Sequence, residues 1–203
     1  KIKKTALSAY GNVRTVGLIG INIREGDELI DVQLTDADNE VILASRNGLA
    51  IRFRESDARL MGRVAEGVRG IRLGADDEVV GMVVVARDEA TLLVVSESGM
   101  GKRSEIEAYR LQGRGGKGVI NLKTTERTGK VVAIKSVVPG DQLMVITRNG
   151  VINRQRIDEI RVIGRATQGV RLVNLDDKDS VMDVARVIPE DPAEALAVSG
   201  GVL

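Results

Sequence analysis

The 203-residue chain contains neither cysteine nor histidine. Without cysteine it can form no disulfide framework and no thiolate metal site. Without histidine it lacks the commonest general base and the commonest metal ligand. These absences argue against an enzyme active site, and we expect no catalytic residue, no metal site and no cofactor.

Aromatic residues and long apolar runs are also scarce. Tryptophan is absent and aromatics make up 1% of the chain, which argues against WD40 repeats and against stacking platforms for single strands. No apolar run approaches the roughly 18 residues of a membrane span. The chain begins Lys-Ile-Lys-Lys, which is no signal peptide. We therefore expect a cytoplasmic protein with no membrane partner.

Charge is balanced overall but unevenly distributed. The net charge is +1, yet residues 100–172 carry 15 Lys or Arg against 6 Asp or Glu. Residues 173–203 carry 2 against 7. This asymmetry predicts a basic surface for a polyanion, with residues 189–203 forming an acidic tail that competes for it. The alternative is a soluble surface of mixed charge.

Glycine, by contrast, is abundant and recurs at a fixed period. Three sets of glycines recur every 51 residues. They are the glycines of Gly-Arg pairs at 62, 113 and 164, the loop-closing glycines at 67, 118 and 169, and the hairpin glycines at 48, 99 and 150. Repeats of this length indicate propellers, solenoids or arrays. Each unit contains about four short β-branched segments separated by turn residues, which is typical of a propeller blade.

The sequence therefore predicts an all-β fold over residues 1–188. We expect a β-propeller segment of about four blades with four-stranded antiparallel sheets, in units of about 1–40, 41–91, 92–142 and 143–188. In the first unit the apolar segments Leu18–Ile23 and Leu29–Leu34 are predicted to be strands.

Cations recur at equivalent positions of these units. The return strands carry Lys4, Arg52, Arg103 and Arg154, the loops carry Arg14, Arg63, Arg114 and Arg165, and nearby positions carry Lys3, Arg54, Lys102, Arg110 and Arg156. If the blades are equivalent, these cations line one rim and bind phosphates in a salt-dependent way. Two alternatives stay open: the strand cations could protect sheet edges, and the loop arginines could bond carbonyls of the neighbouring blade.

The loop at residues 112–118 reads Gln-Gly-Arg-Gly-Gly-Lys-Gly. Gly115 and Gly116 permit close backbone approach and an anion nest, and Lys117 adds a charge, so we predict phosphate contact. The alternative is a tight turn between blades. It is not a nucleotide-binding P-loop, because Gly118 follows Lys117.

Tyrosines occupy matching positions of two units. Tyr10 and Tyr109 correspond to Ala58 and Ile160 in the other two. This substitution pattern predicts packing in the core rather than stacking on bases.

Several stretches closely resemble the C-terminal domain of the A subunit of DNA gyrase, a bacterial type IIA topoisomerase. They are Gly67–Gly74, Gly101–Arg103 with Glu107–Tyr109, Thr125–Gly129 and Gly164–Val170, and the resemblance covers about residues 1–188. It implies a β-pinwheel, a propeller variant with strands exchanged between neighbouring blades. It also implies a rim that binds and bends duplex DNA and supports ATP-dependent negative supercoiling by the whole enzyme.

The same resemblance implies two protein partners: the rest of the A subunit, with the ATPase subunit reached through it. The family's signature box, Q-[RK]-R-G-G-[RK]-G, is matched except at Gly113, so the chain resembles later blades. We expect it to bind and bend DNA but to wrap it weakly. The alternatives are the equivalent domain of topoisomerase IV and a propeller that serves as a protein-interaction scaffold.

Overall fold

The computed structural model describes residues 1–13, 15–85 and 89–188. Arg14 and the acidic tail at 189–203 lie outside the described residues. The eleven strands assigned there are β1 Glu40–Ser45, β2 Leu49–Arg54, β3 Val79–Val85, β4 Thr91–Ser96, β5 Met100–Glu105, β6 Val119–Ile120, β7 Val131–Val137, β8 Gln142–Thr147, β9 Ile152–Arg156, β10 Val170–Arg171 and β11 Val181–Val187. Short 3₁₀ turns occupy Leu7–Tyr10, Glu55–Asp57, Ile106–Ala108 and Ile157–Glu159.

Tight hairpins join β1 to β2, β4 to β5 and β8 to β9. Gly48, Gly99 and Gly150 close them, with φ of 86°, 72° and 84°. Glycine adopts this left-handed conformation at little steric cost, which is why the turn sequences Asn-Gly and Ser-Gly fit here. An acidic side chain supports two of the turns: Asp77 accepts the N–H of Asn47 at 2.9 Å, and Asp179 accepts the N–H of Asn149 at 3.0 Å.

The strands form antiparallel sheets in the orders β3-β1-β2-β6, β10-β5-β4-β7 and β11-β8-β9. In the first two sheets the outer strand comes from the following unit, because β6 pairs with β2 and β10 pairs with β5. The predicted all-β fold with four-stranded antiparallel sheets and exchanged strands is confirmed. The third sheet has three strands among the described residues.

The first unit differs from the expectation. Neither Leu18–Ile23 nor Leu29–Leu34 is a strand. A strand needs a hydrogen-bonding neighbour, and within the described residues the backbone of these segments is paired with none. Instead, the Gln33 side chain covers the edge of β3: its Nε2 donates to the Met82 carbonyl at 2.8 Å and its Oε1 accepts the Val84 N–H at 3.2 Å.

The core lies between neighbouring sheets. One cluster joins Ile42 and Val83 of the second unit to Leu92 and Val94 of the third, and a second joins the third unit to the fourth. A third packs residues of the second unit such as Phe53 against the first unit. The inner strands β3, β7 and β11 contact one another in turn, so β6 and β10 lie at the opposite, outer edges.

Candidate nucleic-acid interface

The loop arginines bond backbone carbonyls of the preceding unit. Arg114 donates from Nε to the Asp57 carbonyl at 2.7 Å and from Nη1 to that of Arg69 at 3.0 Å. Arg165 bonds the carbonyls of Ala108 and Ile120, both 51 residues further on, at 2.9 Å. Arg63 similarly donates to the Ile19 carbonyl at 2.5 Å. Of the two hypotheses for this set, the geometry favours arginines that hold the units together.

The return-strand cations also bond protein groups. Lys4 contacts Glu55, at 3.4 Å from its carbonyl oxygen and 3.5 Å from its carboxylate. Arg52 pairs with Glu40 at 2.5 Å and donates to the Ile106 carbonyl at 2.8 Å. Arg103, which is 8% exposed, donates to the Ile160 carbonyl at 2.8 Å, and Arg154 donates to Gln142 at 2.5 Å. Three of the four therefore anchor the following unit.

The structure does not leave Lys102, which the sequence predicts to bind DNA, accessible to a phosphate. Its side chain is fully buried, and Nζ donates to the carbonyls of Gly164, at 2.8 Å, and Arg165. Burial, with a smaller effect of the Arg165 charge, lowers the pKa of Lys102 to about 7. Lys3, at the equivalent position of the first unit, donates to the Gly20 carbonyl at 2.6 Å and to that of Arg63.

The glycine loop lies against the second unit. The Gly115 N–H donates to the Gly70 carbonyl at 2.6 Å, and the Gly116 carbonyl accepts the Arg72 N–H at 2.8 Å. The Gly115 amide is therefore committed to the protein, which weakens the predicted anion nest. Lys117 is exposed and has no protein partner among the described residues.

Three of the predicted cations are exposed and have no side-chain partner in the described ranges: Arg54, Arg110 and Lys117. Arg156 is exposed and lies 3.4 Å from Asp158. Together with Arg154, which is exposed although it donates to Gln142, these are the predicted cations whose side chains are exposed.

Sequence reasoning missed further exposed cations with no side-chain ion-pair partner in the same part of the chain: Arg59, Arg69, Arg72, Lys123, Arg161 and Arg171. Arg59 and Arg161 stand 51 residues on either side of Arg110, so the repeat itself could have found them. Arg69 and Arg171 are likewise separated by two periods, and Arg72 and Lys123 by one. With Lys1, Arg69 and Arg72 line a shallow surface depression.

These cations follow the outer edges of the sheets. Arg171 ends β10, on the sheet edge opposite β7, and Lys123 follows β6, on the sheet edge opposite β3. The hydrogen bond from the Arg72 N–H to the Gly116 carbonyl places Lys117 beside Arg72 of the second unit. The result is a basic outer rim, which we define as Arg59, Arg69, Arg72, Arg110, Lys117, Lys123, Arg161 and Arg171.

The tyrosines pack as predicted. Tyr109 is fully buried and donates to Asn121 Oδ1 at 2.6 Å, and burial raises its pKa to about 12. Tyr10 is half-buried and donates to the Gly20 carbonyl at 3.1 Å. Ala58 and Ile160 are buried at the equivalent positions.

Two other kinds of site are missing from the described residues. No group of three or more His, Cys, Asp or Glu side chains is placed to hold a metal ion there. Nor does that part of the chain contain a helix long and apolar enough to cross a membrane.

Comparison with known proteins shows the class of protein to which this fold belongs. The family model described as "DNA gyrase C-terminal domain, beta-propeller" matches residues 1–36, 39–86, 90–137 and 141–188. The chain belongs to this family. Among its relatives, the DNA gyrase A subunit of Deinococcus deserti is 47% identical over 94% of the chain, and that of Salmonella typhimurium is 44% identical over 99%. The chain spans only about a quarter of each relative's length, 24% and 23%.

Solved structures agree with the fold. The C-terminal domain of DNA topoisomerase IV superposes with a TM-score of 0.89 at 28% identity, covering 97% of this chain and 62% of that one. A DNA gyrase A C-terminal domain superposes with a TM-score of 0.78, also at 28% identity, covering 85% of this chain and 59% of that one.

Proposed function

We propose that this chain binds duplex DNA along the basic outer rim and bends it, as a non-catalytic part of a gyrase A-type subunit. The observation that carries the proposal is the repetition of exposed cations, unpaired among the described residues, at the outer edges of successive units, above all Arg59, Arg110 and Arg161. Membership of the gyrase C-terminal family supports it. In the longer protein we expect two cytoplasmic partners: the rest of the A subunit, which supplies strand cleavage, and, through it, the ATPase subunit, which supplies ATP hydrolysis for supercoiling.

A curved array of cations suits a bent duplex. Each neutralised phosphate releases counterions, so affinity is largely independent of sequence and falls steeply with salt. Bending a site of roughly 20–30 base pairs costs on the order of 1–6 kcal/mol. Contacts from several units along the rim are needed to offset that cost, and the 51-residue repeat supplies them.

Binding is tested by fluorescence anisotropy of a labelled duplex across a salt series. We expect Arg110→Ala and Lys117→Ala each to reduce the slope of log K against log salt by about 1, since each removes one phosphate contact. Lys135→Ala is the matched control, because Lys135 is a cation without a side-chain partner in the described residues but lies on the inner strand β7. A flat salt response in the wild type, or equal effects of all three variants, would contradict the proposal and favour a protein-interaction scaffold.

A further inference from the structure

A five-residue pattern recurs in three consecutive units: Arg, then Leu or Val, then one variable residue, then Gly-Arg. It occupies residues 59–63, 110–114 and 161–165. The second arginine of each copy bonds a backbone carbonyl of the preceding unit, and the first belongs to the basic outer rim. The residue that follows the rim arginine serves neither purpose. In the three copies it is a branched apolar side chain: Leu60, Leu111 and Val162.

These three apolar side chains are exposed, with exposed fractions of 64%, 41% and 40%. The core is filled instead from two positions earlier in each copy, where Ala58, Tyr109 and Ile160 are buried. A single exposed leucine is ordinary on a protein surface. A row of three at one position of the repeat, each directly after a rim cation, is a feature of the rim itself.

The backbone holds each of these side chains at the outer edge of a sheet. Leu60, Leu111 and Val162 each form a parallel bridge with the return strand of the preceding unit. In all three units the N–H of the next residue donates to a carbonyl of that same strand, at 2.9 or 3.0 Å. The apolar side chain is therefore presented from paired backbone.

We propose that Leu60, Leu111 and Val162 pack against deoxyribose in the minor groove of the bound duplex, while the arginine before each bonds a phosphate at the border of that groove. This contact rests on the proposed function and adds to it the groove that the rim recognises. Part of the affinity is then apolar and independent of salt.

The dimensions of the two grooves favour the minor groove. The major groove is roughly 12 Å wide and admits a helix or a two-stranded ribbon, whereas the minor groove is roughly 6 Å wide. What the described sheet edges present is a single branched side chain beside a cation. Such a side chain can touch the sugars that wall a narrow groove, and the longer arginine can reach the phosphates at its border. Proteins that wrap DNA likewise place arginines where the minor groove faces inward.

The test is duplex binding by anisotropy across a salt series, with Leu60→Asn, Leu111→Asn and Val162→Thr combined in one triple variant. These replacements nearly keep the side-chain sizes and make them polar. We expect the affinity to fall about tenfold at every salt concentration with the slope of log K against log salt unchanged, because apolar contacts are lost and phosphate contacts are kept. Met182→Gln is the control: Met182 is 57% exposed but lies on the inner strand β11, so the affinity should stay at the wild-type value.

A second measurement needs only the wild type. Guanine places an amino group in the minor groove, and inosine lacks that group while presenting the same atoms in the major groove. We expect an inosine–cytosine duplex to bind several-fold more tightly than a guanine–cytosine duplex of the same length, because the amino group occupies space that the apolar side chain needs. The triple variant should lose most of this preference.

The outcomes separate this proposal from the proposed function. A triple variant that binds as the wild type does, that loses salt slope, or that is matched by Met182→Gln would overturn the minor-groove contact. Equal binding of the two duplexes by the wild type would also overturn it. Each of these results leaves the proposed function standing as long as wild-type affinity falls steeply with salt. A wild type that binds no duplex, or that binds it with a flat salt response, would contradict both.

Discussion

Lys102 places an ammonium group in the interior, where its bonds to the Gly164 and Arg165 carbonyls join the third unit to the fourth. Its pKa is lowered from 10.5 to about 7. The unfolded state therefore binds more protons than the folded state between these two values, and stability must rise with pH in that window. Below pH 7 both states are protonated, and the full cost of burying the charge is felt.

The lowered pKa of Lys102 predicts that the stability of the protein depends on pH. We expect the free energy of unfolding to gain up to about 1.4 kcal/mol per pH unit above pH 7 from this residue. Chemical denaturation at several pH values should show the rise in the wild type and a flatter profile in Lys102→Met. Parallel profiles for the two proteins, or a wild type that loses stability over this window, would show that Lys102 is not the cause.

The sequence predicts which positions carry cations, but it does not predict which of these cations bond to the protein and which are exposed. Arg114 and Arg165 recur with the period, as a DNA-binding residue would. Their partners, however, are backbone carbonyls such as those of Asp57 and Ala108, and a carbonyl is present at every residue whatever its side chain. Only the three-dimensional arrangement distinguishes Arg165, which is bonded, from Arg161, which is exposed.

Among the elements, the pairing of β6 with β2 depends on glycine where one backbone crosses the other. A Cβ on Gly118 would collide with the Ala50 carbonyl oxygen, and φ there is 81°. We expect Gly118→Ala to lower the free energy of unfolding by about 1–3 kcal/mol, from backbone strain and the forced separation of β6 from β2.

Gly113→Ala in the same loop is the control. Gly113 does not have a positive φ, and a Cβ there would have nothing described within 4 Å. Its replacement should be neutral or stabilise the fold by up to about 1 kcal/mol, because alanine reduces the entropy of the unfolded chain. Thermal unfolding of both variants checks the pair; equal losses of stability would mean that the crossing is not tightly packed.

The hairpins were predictable because Asn-Gly and Ser-Gly encode their turns locally. The outer strands β6 and β10 were harder to predict from the sequence. Each is two residues long and is a strand only because it pairs with β2 or β5 of the preceding unit. Leu18–Ile23 likewise has a strand-like sequence but forms no strand, because its backbone pairs with no other segment among the described residues.

For the whole molecule, the 51-residue period predicted a repeat fold, and the four short β-branched segments in each unit then predicted a propeller. A rim that curves with these units should bend the DNA it binds. We expect resonance energy transfer between dyes at the two ends of a duplex of roughly 30 base pairs to increase on binding. The increase should fade as salt rises, in step with affinity. Binding with no change in transfer would mean that the rim holds a straight duplex.

The central claim is that exposed rim cations bind DNA while bonded loop arginines hold the units together, and Arg161 and Arg165 test it within one loop. Both are replaced by Ala, and each variant is measured for duplex affinity across salt and for free energy of unfolding. Arg161→Ala should lower the salt slope by about 1 and change stability by less than about 0.5 kcal/mol. Arg165→Ala should instead cost about 1–3 kcal/mol of stability, since its guanidinium bonds two carbonyls, and leave the salt slope unchanged. The reverse pattern, or two variants that behave alike, would contradict the account.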